Sequence, residues 1–203
     1  MKHDSYSALE HRFLARGRSL LFLLLSPVVK LLTNIPFVTP NVVSASQVVL
    51  AVGIVAVVPT RPRLAFVIFA ATLLIDGLDG ALARHTDRAT PFGSLFDQFC
   101  DHARETIVIA ILAWAGALSP FWAAIYPFVY AAFNLTLYLC NRYGTPLPLA
   151  IKSYLVVYPA IFAYLWFGHN WLDGAVILSI TLMGAVMVQG LAKLHGTLGE
   201  QIA

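Results

Sequence analysis

Long apolar runs follow one another along most of this sequence, and they limit its possible fold more than any other feature. A helix needs about 20 mainly apolar residues to cross a bilayer. Six candidate runs cover residues 42–58, 64–84, 93–117, 121–140, 149–167 and 171–194. They are continuous and lack the alternation of apolar and polar residues found in membrane β-barrels. We therefore predict an all-α integral membrane protein with six transmembrane helices.

The scarcity of charge supports this prediction. Asp, Glu, Lys and Arg make up 11% of the 203 residues, and 59% are hydrophobic, whereas a soluble domain is about 25% charged. This composition excludes a soluble domain, and it also excludes a disordered chain, which needs high charge and low hydrophobicity. The two cysteines both fall in apolar runs, which excludes a secreted module held together by disulfides.

The basic residues predict the orientation of the chain in the membrane. Six spans place both termini on one side, and loops on the cytoplasmic side of membrane proteins are enriched in Lys and Arg. The side with the termini would carry ten basic residues, namely Lys2, Arg12, Arg16, Arg18, Lys30, Arg84, Arg88, Arg142, Lys152 and Lys193. The opposite side would carry Arg61 and Arg63. We therefore predict cytoplasmic termini in the plasma membrane of a prokaryotic cell, and we attribute the net charge of +3 to this orientation and not to a nucleic-acid partner.

The segment before the first span has its own character. Residues 1–38 combine Arg12, Arg16 and Arg18 with the short apolar stretch 20–25 and then Lys30. This pattern favours an amphipathic helix that lies in the cytoplasmic interface and contacts membrane lipids, followed by a six-helix membrane domain over residues 39–203. A signal peptide is the alternative, but the apolar stretch is short and no small-residue cleavage site follows it.

Acidic residues inside two neighbouring spans predict a metal site. Asp76 and Asp79 lie three residues apart in the second span, and Asp97 and Asp101 lie four apart in the third, so each pair shares a helix face. The short loop between these spans requires antiparallel packing, which brings the four carboxylates together near the cytoplasmic face. Buried carboxylates of this kind need cations, and oxygen ligands favour hard divalent ions. We predict two ions, Mg²⁺ or Mn²⁺, which together can clamp a phosphoryl group.

Small residues and one arginine surround these aspartates in the sequence. Gly80 lies one helical turn before Arg84, Ala83 is also small, and Gly93 lies one turn before Asp97. A glycine here costs about 1 kcal/mol of helix stability relative to alanine, but it allows a ligand to approach the backbone. The guanidinium of an arginine is a rigid fork that suits phosphate. The pattern therefore indicates a phosphate-bearing substrate that binds beside the metals.

Together these positions form a recognisable motif. Asp76-x2-Asp79-Gly80-x2-Ala83-Arg84-x8-Gly93-x3-Asp97-x3-Asp101 resembles the signature of the CDP-alcohol phosphotransferase family. The resemblance implies transfer of a substituted phosphate from a CDP-linked alcohol to a second alcohol, with release of CMP. It also implies a homodimer in which the four aspartates hold two divalent metals and Asp101 acts as the general base.

The resemblance also implies a set of donor ligands. The nucleotide and its diphosphate would contact Thr39, Asn41, Asp76, Gly80, Ala83, Arg84, Thr90 and Gly93. Thr39-Pro40-Asn41 resembles a Pro-Asn element that closes over the nucleotide in relatives. One departure follows it, because Ser46-Gln47 stands where relatives often carry a basic residue.

The identity of donor and acceptor remains open at this point. The short six-span chain resembles the branch that transfers phosphatidyl from CDP-diacylglycerol, with a small alcohol as acceptor. Arg104, Arg142 and Lys152 predict an acceptor that carries a phosphate, and we favour glycerol 3-phosphate. A phosphatidylinositol-phosphate synthase and a transferase of the CDP-choline or CDP-ethanolamine type are the alternatives. A divalent-cation transporter is the alternative from another class, since carboxylates inside a membrane often mark ion pathways.

Overall fold

A computed structural model describes residues 24–148, 150 and 152–202 of this chain. The regular elements in these ranges are all helical, which confirms the predicted all-α class. The helices are α1 (Leu24–Thr33), α2 (Pro40–Val57), α3 (Pro62–His85), α4 (Pro91–Trp114), α5 (Pro120–Arg142), α6 (Val157–Phe162) and α7 (Leu172–Ile202). A 3₁₀ turn at Ser153–Leu155 precedes α6, and a π-helix at Ala163–Phe167 follows it.

Four of these helices begin in the same way. Each of α2, α3, α4 and α5 has a proline in its first turn, where the missing N–H costs no hydrogen bond and the fixed φ suits the helix. In α2 and α4 a threonine precedes the proline and caps the helix, because Thr39 Oγ1 accepts from Val42 N at 3.3 Å and Thr90 Oγ1 accepts from Gly93 N at 3.0 Å.

By length and composition, four helices can cross a membrane. They are Pro40–Val57, Pro62–His85, Pro120–Arg142 and Leu172–Gly199, and they confirm the first, second, fourth and sixth predicted spans as apolar helices. The third predicted span corresponds to α4, which has 24 residues, but Asp97, Asp101, Arg104 and Glu105 make it less apolar than the other four. The described structure therefore supports a membrane protein, while the count of six spans stays a prediction.

The predicted fifth span differs most from the structure. The described part of residues 149–167 does not form one continuous helix, because the 3₁₀ turn, α6 and the π-helix follow one another there. The apolar helical part, Val157–Phe167, is shorter than the about 20 residues that a bilayer requires. It ends at Gly168, whose φ of 78° lies in the left-handed region that glycine tolerates best.

Helix α4 lies between two groups of helices. α2 packs against α3 and α4, α4 also packs against α5, and α5 packs against α7. The core between them contains almost completely buried side chains from four helices, including Phe69, Leu112, Phe133 and Met183. This central position encloses the charged side chains of Arg104 and Glu105 in α4.

Helix α1 packs against a different part of the bundle. Its Val29 is fully buried and contacts a small apolar cluster formed by Val43 of α2 and Ala81 and Leu82 of α3. α1 therefore lies beside the start of α2 and the end of α3. Most of the predicted interfacial segment, residues 1–23, lies outside the described residues.

Candidate active site

The predicted aspartates of α3 and α4 come together. One carboxylate oxygen from each of Asp76, Asp97 and Asp101 lies within 4.8 Å of the other two. The sequence spacing explains this cluster. Residues three or four apart share a helix face, and the loop between α3 and α4 reverses the direction of the chain. The structure thus brings three of the four predicted metal ligands into one cluster.

The fourth aspartate lies at the edge of this cluster. Asp79 is 3% exposed, and its carboxylate is an electrostatic neighbour of Asp97. Its Oδ2 accepts a hydrogen bond from Ser44 Oγ of α2. Helix α2 therefore fixes Asp79, a role for Ser44 that the sequence analysis missed.

One atom of the cluster supports metal binding. Asp97 Oδ1 is buried and has no hydrogen-bond partner among the residues that the structure describes. A buried carboxylate oxygen without a partner is costly, and a cation would satisfy it. The oxygen-only ligand set suits Mg²⁺ or Mn²⁺. The residues present therefore fit a divalent metal.

Asp101 is held from outside the cluster. Gln47 Nε2 of α2 donates to Asp101 Oδ1 at 3.3 Å, and Arg104 Nη1 forms an ion pair with the same oxygen at 3.1 Å. Arg104 Nη1 also donates to Gln47 Oε1 at 2.6 Å. The three side chains form a closed triangle of polar contacts between α2 and α4.

Polar contacts continue away from this triangle. Arg104 Nη2 donates to Tyr158 Oη at 3.3 Å, and Tyr158 Oη donates to Glu105 Oε2 at 2.8 Å. Tyr126 Oη of α5 donates to the other oxygen, Glu105 Oε1, at 2.6 Å. We call Gln47, Arg104, Glu105, Tyr126 and Tyr158 the buried polar network.

The sequence analysis missed most of this network. It described Gln47 as part of a departure from the family pattern, and it assigned no role in the site to Glu105 or to the tyrosines. A signal was present in α2, where Ser44 and Gln47 are polar, lie three residues apart and therefore share one face of an apolar helix. Their partners on other helices could not be read from the sequence.

The predicted nucleotide ligands on α3 lie at its end. Arg84 is exposed and its guanidinium folds back over Gly80, since a Cβ added at Gly80 would lie 3.3 Å from Arg84 Nη1. Ala83, between them in sequence, is partly exposed. The structure therefore brings Gly80 and Arg84 together, one turn beyond the first aspartates.

The other predicted donor ligands lie where α2 and α4 begin. A Cβ added at Gly93 would lie 3.1 Å from Thr90 Oγ1 and 3.5 Å from Asn41 Oδ1. The glycine therefore allows the start of α2 to approach the start of α4 closely. Thr39 and Thr90 serve as the caps of these helices, so their hydroxyls already have a structural role in the described state.

The three predicted acceptor ligands lie on different elements. Arg104 is 3% exposed and belongs to the buried polar network. Arg142 is exposed at the end of α5, and Lys152 is buried just before the 3₁₀ turn. Binding of an acceptor by these residues stays a prediction.

The chain matches a known family in sequence. The sequence model of a family described as CDP-alcohol phosphatidyltransferase matches residues 37–192. An archaetidylinositol phosphate synthase of Aeropyrum pernix is 36% identical over 78 residues, and cholinephosphotransferase 1 of Gallus gallus is 32% identical over 114 residues. These regions cover 38% and 49% of this chain but only 40% and 34% of the two relatives.

The fold is similar to that of a phosphatidylinositol phosphate synthase of Mycobacterium tuberculosis. Its crystal structure with CDP-DAG bound has a TM-score of 0.69 and covers 83% of this chain and 92% of that chain. Its structure with manganese and citrate has a TM-score of 0.67 and covers 83% and 87%. The sequence identity is 19% in both cases, so this likeness establishes the fold. Because the family model covers well over half of the sequence, the chain belongs to the CDP-alcohol phosphatidyltransferase family.

Proposed function

We propose that this protein transfers a phosphatidyl group from CDP-diacylglycerol to the hydroxyl of a small alcohol and releases CMP. The observation that carries this proposal is the cluster of Asp76, Asp97 and Asp101, with oxygens within 4.8 Å of one another, at the positions of the family motif. The solved fold neighbour with CDP-DAG bound supports a lipid-bearing donor. Membership in this family does not favour the cation transporter.

The four aspartates would hold two divalent ions, Mg²⁺ or Mn²⁺. Bound metal ions would offset the negative charge that develops on the phosphate oxygens as CMP leaves. The unpartnered Asp97 Oδ1 supports this assignment, and the fold neighbour with manganese favours Mn²⁺ as the first ion to test. Ser44 would keep Asp79 in place beside Asp97.

Asp101 is proposed as the general base. An alcohol hydroxyl is a weak nucleophile, and a carboxylate that removes its proton as attack proceeds makes it a stronger one. The acceptor oxygen then bonds to the lipid-bearing phosphorus, the bond from that phosphorus to the bridging oxygen breaks, and CMP leaves. The proton stays on Asp101 until water takes it. We propose a single sequential displacement without a phosphorylated enzyme.

The donor would bind between the C-terminal end of α3 and the N-terminal ends of α2 and α4. The Arg84 guanidinium would turn from Gly80 to the diphosphate, with Gly80 and Ala83 leaving room for it. Asp76, Thr39, Asn41, Thr90 and Gly93 complete the proposed donor site. The approach of Asn41 to Gly93 supports a continuous wall there.

The acceptor is proposed to carry a phosphate, which Arg142 and Lys152 would bind. Glycerol 3-phosphate is the first candidate. Inositol phosphate is the second, because one relative at 36% identity is an archaetidylinositol phosphate synthase. The likeness to cholinephosphotransferase 1 keeps a CDP-choline donor as a further alternative.

The test is CMP release by the purified full chain in detergent. CDP-diacylglycerol and Mn²⁺ are supplied, and glycerol 3-phosphate, inositol phosphate, inositol and serine are added one at a time. We expect CMP to be released with one of these acceptors, and no release after EDTA has removed the metal. If CMP is released only when CDP-choline or CDP-ethanolamine is supplied with diacylglycerol, the donor must be reassigned. If no combination of donor and acceptor releases CMP, the proposed reaction is wrong.

We also propose that the enzyme is a homodimer, as the family resemblance implies. Cross-linking in native membranes, followed by denaturing electrophoresis, should give a band at twice the mass of the chain. A monomer as the sole product across a range of cross-linker lengths would contradict this.

A further inference from the structure

We propose that Gln47, Arg104 and Tyr158 are positioning residues that hold the Asp101 carboxylate in place for proton removal. This inference rests on the proposed function, in which Asp101 is the base. Its starting point is the buried polar network, which lies directly beside the aspartate cluster and which no step of the proposed reaction uses. Gln47 is 0% exposed, Arg104 3% and Glu105 2%.

The contacts to Asp101 are selective. Both donors, Gln47 Nε2 and Arg104 Nη1, meet Oδ1. A carboxylate has two oxygens and about four lone-pair sites, so two donors on Oδ1 fix the rotation of the group without using Oδ2. The second oxygen can then serve a metal or accept a proton. This arrangement suits a base that must be both held and available.

The remaining contacts fix Arg104 itself. The Tyr158 hydroxyl has a single hydrogen, and Glu105 accepts it. The oxygen lone pairs of Tyr158 are thereby left for Arg104 Nη2. The order of contacts is therefore Glu105 to Tyr158, Tyr158 to Arg104, and Arg104 to Asp101. Arg104 and Glu105 carry opposite charges and are both buried, so each lowers the free-energy cost of burying the other.

These contacts define a role different from acceptor binding. Both terminal nitrogens of Arg104 have partners within the chain, and only its Nε lacks one among the described residues. A residue that binds the acceptor affects the KM for that acceptor, whereas a residue that holds the base affects kcat. The two roles can therefore be separated by kinetics.

The central experiment compares two tyrosines that contact the same carboxylate. Tyr158→Phe removes a hydroxyl that joins Glu105 to Arg104, and Tyr126→Phe removes one whose hydrogen bond goes to Glu105. We expect Tyr158→Phe to lower kcat about tenfold, as loss of a supporting contact behind a site commonly does, with an unchanged KM for the acceptor. Tyr126→Phe should lower kcat less. Equal losses in the two variants would overturn the inference.

Arg104 provides the second comparison. Arg104→Gln should lower kcat more than Tyr158→Phe does, with the acceptor KM unchanged, and Arg104→Lys should restore part of the loss because it returns the charge. A raised acceptor KM with wild-type kcat in Arg104→Gln would instead assign Arg104 to the acceptor and overturn the positioning role.

A readout without turnover completes the test. The thermal midpoint of each full-length variant is measured in detergent with and without Mn²⁺, since a bound ion stabilises the folded state. A purely structural role lowers both midpoints equally, whereas the positioning role predicts a smaller Mn²⁺-induced rise in Tyr158→Phe than in Tyr126→Phe. This measurement needs no turnover, so it tests whether the network supports the aspartate cluster even if the wild type releases no CMP. Absence of CMP release would overturn only the proposed function.

Discussion

Asp101 lies where the aspartate cluster meets the buried polar network, and this position determines what its replacement should do. Asp101→Asn preserves the size of the side chain but removes the charge and the ability to accept a proton. We expect CMP release to fall by at least about a hundredfold, the usual contribution of a general base. The assay is CMP release with the best acceptor, with size-exclusion chromatography to show that the fold is retained.

Asp87→Asn is the matched control for Asp101→Asn. Asp87 is exposed in the α3–α4 loop and has a φ of 53°, a backbone conformation that asparagine also tolerates. The Asp87→Asn variant should release CMP at the wild-type rate. Near-normal turnover in Asp101→Asn would remove Asp101 from the role of base.

Ser44 gives a second prediction for a single residue. Its hydroxyl donates to Asp79, so Ser44→Ala removes this hydrogen bond from the carboxylate. We expect Mn²⁺ affinity to fall about tenfold, as for other contacts that orient a metal ligand. Ser46→Ala is the control, because Ser46 Oγ donates to Val43 O within its own helix, at 2.7 Å. Titration calorimetry with Mn²⁺ compares them, and equal affinities in the two variants would contradict the role of Ser44.

At the scale of the helices, some boundaries follow from the sequence and others do not. Thr39-Pro40 and Thr90-Pro91 mark the starts of α2 and α4, because a capping threonine and a proline favour a helix start for local reasons. The region of the predicted fifth span has no such marker at the right place. Its apolar composition suggests one long helix, but composition does not reveal where a chain switches between 3₁₀, α and π geometry. In the folded chain α6 packs against α7 and the π-helix packs against α3, and the sequence does not show these contacts.

The contact between α5 and α7 gives a prediction at this scale. A Cβ added at Gly190 would lie 2.6 Å from Thr136 Cγ2 and 3.3 Å from Cys140 Sγ, so this glycine allows close approach of the two helices. Gly190→Ala should destabilise the protein by about 1–3 kcal/mol, the usual cost of overpacking. Thermal unfolding in detergent, followed by tryptophan fluorescence, measures the change.

Two further variants test the cause of that change. Thr136→Ser removes the methyl group that Gly190→Ala would meet and keeps a hydroxyl able to donate to Ala132 O, so the double variant should recover part of the loss. Gly184→Ala, in the same helix with open space around it, should not lower the midpoint, because alanine is the better helix former. A loss as large in Gly184→Ala as in Gly190→Ala would mean that the contact with Thr136 is not responsible.

For the whole molecule, the aspartate cluster and the network around it illustrate different limits of prediction. Asp76 and Asp79, and Asp97 and Asp101, could be paired from helix periodicity and one short loop. Gln47, Tyr126 and Tyr158 come from three other helical elements, and only the packed bundle brings them to Arg104 and Glu105. A local pattern therefore predicts ligands that share neighbouring helices, whereas the residues that support them depend on how distant helices pack.

The orientation in the membrane is the last prediction for the whole molecule. The loop between α3 and α4 follows Asp76 and Asp79 and precedes Asp97 and Asp101, so the side of this loop is the side of the proposed active site. The distribution of basic residues predicts that it faces the cytoplasm. Thr60 and Arg88 are exposed in the loops at opposite ends of α3, and the native Cys100 and Cys140 are buried, which keeps background labelling low.

The single variants Thr60→Cys and Arg88→Cys are expressed in bacteria. Spheroplasts prepared from these bacteria are then treated with a membrane-impermeant maleimide. We expect Thr60→Cys to react in intact spheroplasts and Arg88→Cys only after permeabilisation, while the wild type shows the background. Labelling of Arg88→Cys in intact spheroplasts would reverse the predicted orientation and place the aspartates near the outer face of the membrane.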